Sequence, residues 1–146
     1  MIRHRRIAAI ALITVIPAAI VLSGCSVVDE LVFQERSVQF ATTDELTEGW
    51  SGYAPWVPAD ASDIRIREAT SGATAVMLLT SASELDAALC AEVDRQSGPA
   101  YEIDGAPDAY AATRAFACGE WTVIASDDGW LAWTPNDPDE EAASPS

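Results

Sequence analysis

Asp63-Ile64-Arg65-Ile66-Arg67-Glu68-Ala69 sets Ile64 and Ile66 against Arg65 and Arg67, a period of two that marks a half-buried β-strand. Ser71-Gly72 then turns the chain. Ala73-Thr74-Ala75-Val76-Met77-Leu78-Leu79-Thr80 follows as a more apolar strand suited to the middle of a sheet. Together the two predict an antiparallel hairpin. Downstream, Ser81 stands three residues before Glu84, the spacing of a capping box. Leu85, Ala88, Leu89 and Val93 recur at helical intervals as far as Arg95, which predicts the main helix. Residues 96–109 carry Gly and Pro and read as loop. Residues 111–118, 121–126 and 130–134 read as a three-strand meander turning at Gly119-Glu120 and Asp127-Asp128-Gly129. The expected fold class is α+β, a two-layer domain of roughly five antiparallel strands with one main helix packed on one face.

The flanks add less. Thr42-Thr43-Asp44-Glu45-Leu46-Thr47-Glu48 suits one or two helical turns, with a Thr cap and early acids that favour the helix dipole. Gly49-Trp50-Ser51-Gly52-Tyr53-Ala54-Pro55-Trp56-Val57-Pro58 is too rich in Gly and Pro for regular structure. Residues 135–146, with Pro138, Pro145 and four acids, are expected to be a disordered acidic tail.

The N-terminus carries an address. Arg3, Arg5 and Arg6 precede an uncharged apolar run over residues 7–22, broken by Thr14 and Pro17, which ends in Leu22-Ser23-Gly24-Cys25. A basic end, an apolar core and small residues before a processing point are the parts of a secretory signal. The apolar run of about 16 residues is shorter than the roughly 20 that a spanning helix needs, which argues against an uncleaved anchor. Arg5-Arg6 lacks the rest of a twin-arginine pattern. Leu22-Ser23-Gly24-Cys25 closely resembles the lipobox of bacterial lipoproteins. That resemblance implies a diacylglyceryl group on the Cys25 thiol, cleavage before it by signal peptidase II, and a chain lipid-anchored at the extracytoplasmic face of the cell membrane. Two acyl chains suffice for stable attachment where one does not. The organisation expected is a signal peptide over 1–24, a tether over 25–41, one small domain over 42–134 and the tail. Past Cys25, the Ala-rich, lysine-free chain has the general look of small actinobacterial lipoproteins, a resemblance that implies no activity.

Once residues 1–24 are removed, 122 remain, enough for one modest core. They hold five arginines against all 23 acids, a formal balance of −18, and neither lysine nor histidine. Such charge repels nucleic acid and anionic lipid, because both are bound by neutralising phosphates. Its plainer consequence is solubility, and its sharper one is attraction of a basic partner. With Cys25 assigned to lipid, Cys90 and Cys118 are the remaining pair. An exported chain favours a disulfide between them, and two thiols with a redox role are the alternative. If it forms, alternation on the strand ending at Cys118 brings Phe116 and Arg114 to the same face.

The lack of histidine and lysine in the mature chain excludes Ser-His-Asp, Cys-His and Ser-Lys catalysis and imidazole zinc sites. A carboxylate pair of the glycosidase kind remains, without any specific spacing to mark it. Asp127-Asp128-Gly129 and Asp137-Pro138-Asp139-Glu140-Glu141 lack the spaced pattern of a calcium loop, so no metal or cofactor is expected. The aromatics carry more. Trp50, Tyr53 and Trp56 crowd one loop, while Trp130 and Trp133 fall on opposite faces of the last strand. One of that pair lies off the helix side, either covered by the 50–58 loop or exposed for stacking on a sugar or peptide. Arg65 and Arg67 share the polar side of their strand, as cross-strand partners of acids or as an anion site. These seven are the candidate ligand contacts. The functional expectation is a non-enzymatic binding or protein-interaction module of the cell envelope, contacting an unknown envelope protein or glycan. A carboxylate-based hydrolase of envelope glycans and a structural accessory subunit are the alternatives.

Overall fold

The computed structural model describes residues 34–145; the basic start, the lipobox and Cys25 lie outside the described residues. Seven strands are present: β1 (Glu35–Thr42), β2 (Ser62–Ala69), β3 (Ala75–Thr80), β4 (Ala91–Asp94), β5 (Arg114–Cys118), β6 (Trp121–Ser126) and β7 (Gly129–Thr134). Two short helices, α1 (Thr43–Gly49) and α2 (Pro138–Ala143), accompany them. The strands form one sheet in the order β1-β2-β3-β7-β6-β5-β4, with every neighbouring pair antiparallel. The antiparallel α+β outline stands, with seven strands in place of five. The hairpin of β2 and β3 and the meander of β5, β6 and β7 are both present.

The first additional strand corrects the expected tether. From Glu35 onward that segment pairs with β2 and turns Val38 and Phe40 onto the core, alternating with Ser37 and Gln39. The second corrects the expected main helix over 81–95. Residues 81–90 instead cross from β3 to the far edge of the sheet, and 91–94 form β4 there. Distance explains the change. The crossing spans four strand spacings, about 19 Å. Ten residues coiled as a helix reach only about 15 Å, whereas an extended chain covers it readily. Ser81 is also diverted from capping, because its hydroxyl donates to Asp60 Oδ1 (2.6 Å) while the Ala82 N–H donates to Asp60 Oδ2 (3.0 Å). Those bonds, that from Ser81 foremost, hold the Asp60 carboxyl below its usual range against a smaller effect of burial. Helical spacing would set Val93 beside Leu89. In the structure Leu89 packs on one face of the sheet and Val93 on the other.

The Cys90–Cys118 disulfide forms, with Cα atoms 4.3 Å apart. Its geometry follows from register. Ala91 pairs with Ala117, so Cys90 and Cys118 stand one step further along the same ladder. Phe116 faces the same core as the bond. Arg114 lies between Glu92 (2.9 Å) and Asp94 (2.5 Å) of the edge strand β4, its guanidinium held all the more firmly in the charged form by both carboxylates.

Both faces of the sheet are covered. On the first, Ile64, Ile66, Met77, Val123 and Ala132 meet α1, the 50–58 loop and the 81–90 crossover. On the second, Val76, Leu78, Ile124, Leu131 and Trp133 meet the long connection between β4 and β5, through Tyr101, Ile103, Ala106 and Ala109. The 50–58 loop thus covers the disulfide face, and the 96–112 connection covers Trp133.

The tail corrects a further expectation. Asp137 caps α2, its side chain accepting the Asp139 N–H, with Pro138 in the first turn and Glu140 completing a capping box. Glu140 is fully buried. It accepts the backbone N–H groups of Gln96 (2.7 Å), Ser97 (3.2 Å) and Asp137 (3.0 Å) and the hydroxyls of Thr122 (2.7 Å) and Ser97. The Trp133 indole donates to the same Ser97 oxygen at 2.8 Å. Burial pushes the Glu140 carboxyl up, and these donors together outweigh it, leaving its pKa below the ordinary value.

Candidate functional site

Four of the seven candidate contact residues are committed to packing. Trp56 and Trp133 are 2% and 1% exposed. Trp121 forms the centre of an aromatic cluster, its ring centroid 6.1 Å from Trp50 and 5.8 Å from Trp56. The half-buried Trp50 donates its indole N–H to Glu68 Oε2 (3.0 Å), and the same carboxylate receives Arg36 Nε at 2.6 Å. Trp130 packs edge-on to Phe116 and donates to the Ser83 carbonyl (3.1 Å). Trp56 and Trp133 thus belong to the core, while Trp50 and Trp130 pack against it and stay partly exposed.

Arg65 and Arg67 lie on the second face, opposite Leu78 and Val76, and line a cleft of about 370 Å³ beside residues 102–104. Internal acceptors engage both, although Arg65 Nε itself makes no hydrogen bond. Arg65 donates to the Asp104 carbonyl (2.8 Å) with Asp63 at 3.5 Å, and Arg67 binds Glu35 (2.7 Å) and reaches the Glu102 carbonyl (3.3 Å). Tyr101 stacks beneath Arg67, 5.7 Å from ring centroid to guanidinium carbon. The two arginines therefore fasten the covering connection to the sheet, as cross-strand and carbonyl partners.

Tyr53 stands apart. It is 80% exposed, at the lip of a cleft of about 350 Å³. Pro55 and Leu89 form the walls, the edges of Trp56 and Trp121 the floor, and Glu120 the rim. Each wall has a local cause. Tyr53 is thrown outward because its backbone carbonyl accepts the Trp121 indole N–H (2.9 Å), which pins the loop while leaving the side chain outside. Leu89 is fixed by the turn in which the Leu89 and Cys90 N–H groups both donate to the Asp86 carbonyl (2.9 Å each), followed directly by the disulfide. Gly119, at φ +62°, makes the tight β5–β6 turn that brings Glu120 to the rim. A second cleft of about 250 Å³ adjoins this one, sharing Pro55, Trp56 and Leu89 in its lining and adding Glu84 and Asp86. Of these, sequence reading singled out Tyr53 and Trp56 as contact residues. Glu84 and Leu89 read as parts of a helix and Glu120 as part of a turn, and it is the crossover that brings Glu84, Asp86 and Leu89 beside the loop.

The deeply buried carboxylates do not converge. Glu68 is consumed on the first face and Glu140 on the second. Among the described residues no three His, Cys, Asp or Glu side chains group as a metal site would require, and no helix is long and apolar enough to cross a membrane. No family model, curated protein or solved structure matches the chain.

Proposed function

We propose that this protein is a lipoprotein, anchored through lipid on Cys25 at the extracytoplasmic face of the cell membrane, and that it acts as a non-enzymatic binding or protein-interaction module of the cell envelope. The Tyr53 cleft is its contact surface. The observation that carries the proposal is the exposure of Tyr53, at 80%, in a loop whose Trp56 is buried and whose Trp50 is half-buried. An exposed aromatic ring above an apolar floor gives a partner flat apolar surface and a hydroxyl to bind. A binding role is further supported by the way the buried acids are used: Glu68 and Glu140 each serve several internal donors, and neither is paired with a second acid.

The experiment is crosslinking in cells followed by mass spectrometry, comparing the native protein with Cys25→Ala and with Tyr53→Ala. A partner captured by the native protein and lost in both variants is the expected outcome. Identical capture by Tyr53→Ala would remove the cleft from the contact surface, and identical membrane retention of Cys25→Ala would refute the lipid anchor.

A further inference from the structure

The Tyr53 cleft and the smaller one adjoin, with Pro55, Trp56 and Leu89 lining both, and together they make up the groove offered to a partner. Its chemistry is lopsided. The apolar wall is Tyr53, Pro55 and Pro58, faced by Leu89, while the charged groups along it are Glu84, Asp86 and Glu120, all acidic. None of the three has a basic partner among the described residues. The described arginines are all engaged elsewhere. Arg36 holds Glu68, Arg65 and Arg67 bind on the opposite face, and Arg114 sits between Glu92 and Asp94. Arg95 donates to the carbonyls of Ala112 (2.7 Å) and Ser97 (2.5 Å).

We infer that the groove binds an extended, cationic peptide segment of a partner protein, one carrying Lys or Arg beside proline or aliphatic residues. The inference rests on the proposed contact surface and names its partner class. Charge complementarity selects the occupant. The long aliphatic stems of Lys and Arg lie well along an apolar wall while their heads reach acids at its rim. Tyr53 can additionally receive a cation on its ring face, and its exposed ring with Pro55 and Pro58 gives flat apolar surface for proline rings. A neutral glycan would use the ring but leave the three carboxylates without counter-charge, and an anionic one would be repelled. The same acids raise the local concentration of a basic partner, so association falls as salt rises.

The test uses the full acylated chain in detergent micelles and isothermal titration with three probes. These are an octapeptide alternating proline and arginine, its proline and glutamate counterpart, and an oligomer of N-acetylglucosamine. The proline–arginine peptide is expected to bind, and to weaken roughly tenfold both in Glu84→Gln/Asp86→Asn/Glu120→Gln and in Tyr53→Ala. A control triple variant, Glu102→Gln/Asp104→Asn/Asp127→Asn, removes equal charge away from the groove and is expected to bind as the native chain does. Equal loss in the control would show attraction by net charge alone and overturn the inference. So would failure of the proline–arginine peptide to bind. Binding of the glutamate peptide or the glycan in its place, still sensitive to Tyr53→Ala, would overturn the cationic partner yet leave the contact surface standing. Crosslinks in cells unchanged by Tyr53→Ala would remove the surface itself.

Discussion

Glu140 shows how much one side chain can organise. Its two oxygens receive three backbone N–H groups and two hydroxyls, drawn from α2, from residues 96 and 97, and from β6. Glu140→Gln places an amide NH₂ among donors that need an acceptor, and an orphaned buried donor costs about 1–3 kcal/mol. The expected loss of stability is therefore roughly 2 kcal/mol, read by urea unfolding. The pH dependence has a definite sign. The folded pKa lies below the ordinary 4.5, so the contribution is complete above that value and disappears as pH falls through the depressed one. Native protein should lose stability on acidification from pH 5 to pH 3 more steeply than Glu140→Gln; equal slopes would exclude Glu140 as a source. Gly129 makes a second local demand. A Cβ there would stand 2.3 Å from the Leu79 carbonyl oxygen and 2.7 Å from the Ser81 nitrogen, both backbone atoms. Gly129→Ala is expected to destabilise by roughly 2–3 kcal/mol, against about 1 kcal/mol at Gly72, where a Cβ meets nothing within 4 Å and the cost is that of a positive φ alone. Thermal unfolding of the two variants separates these cases. The Glu140 site was partly legible, since Asp137-Pro138-Asp139-Glu140 has capping-box spacing with Pro in the first turn. Acidity and proline content obscured it, because both also describe disorder. Its partners Ser97 and Thr122 are far off in sequence, and no local pattern names them.

At the scale of elements, the crossover from β3 to β4 is the least self-sufficient part of the fold. Its ten residues form no helix and no strand, and they are held at their ends: by Asp60 at Ser81 and Ala82, and by the disulfide at Cys90. The Cys90–Cys118 bond closes a loop of sequence separation 28, which on chain-entropy grounds stabilises by about 3–4 kcal/mol. Cys90→Ser/Cys118→Ser is expected to lower Tm by roughly 10–20 °C. It should also accelerate amide exchange at residues 85–94 ahead of the rest, because β4 is a four-residue edge strand with one neighbour. Uniform exchange would show that the bond supports the whole domain and not this segment. Local pattern was informative where each strand pairs with its sequence neighbour, as for β2 with β3 and for β5, β6 and β7. It failed where pairing is distant or a crossing must be spanned. Leu85, Ala88 and Leu89 do recur at helical spacing, yet the gap across four strands overrides it. Val38 and Phe40 do alternate, yet two inward residues beside a presumed lipid tether gave too little signal to mark an edge strand. The cleft at Tyr53 was only half legible for the same reason: Tyr53 and Trp56 were named, but Leu89 joins them only because the chain crosses the disulfide face.

For the molecule as a whole, charge is the dominant unbalanced quantity. Five arginines follow Cys25 against 23 acids, and the ion pairs they make are partly exposed, with Arg114 and Glu92 both about half open to solvent. Exposed pairs contribute about 0–1 kcal/mol each, while the unpaired acids repel one another throughout the fold. Salt acts on both. At 0.15 M the Debye length is roughly 8 Å, and at 1 M it is about 3 Å, so added sodium chloride weakens a handful of short pairs and screens a much larger number of longer repulsions. The Glu140 cluster escapes this trade because its carboxylate is fully buried, whereas the pair of Glu68 with Arg36 escapes it only on the Glu68 side, Arg36 being 42% exposed. The sum should favour the folded state. Between 0.02 M and 0.5 M sodium chloride at pH 7, the urea midpoint is expected to rise, and to rise less as pH approaches 4 and the surface acids take up protons. A midpoint that falls with salt at pH 7 would mean that the arginine pairs outweigh the repulsion. The acidic surface would then be held together by its few cations, while the groove acids Glu84, Asp86 and Glu120, which pair with none of those arginines, would stay open to a basic partner.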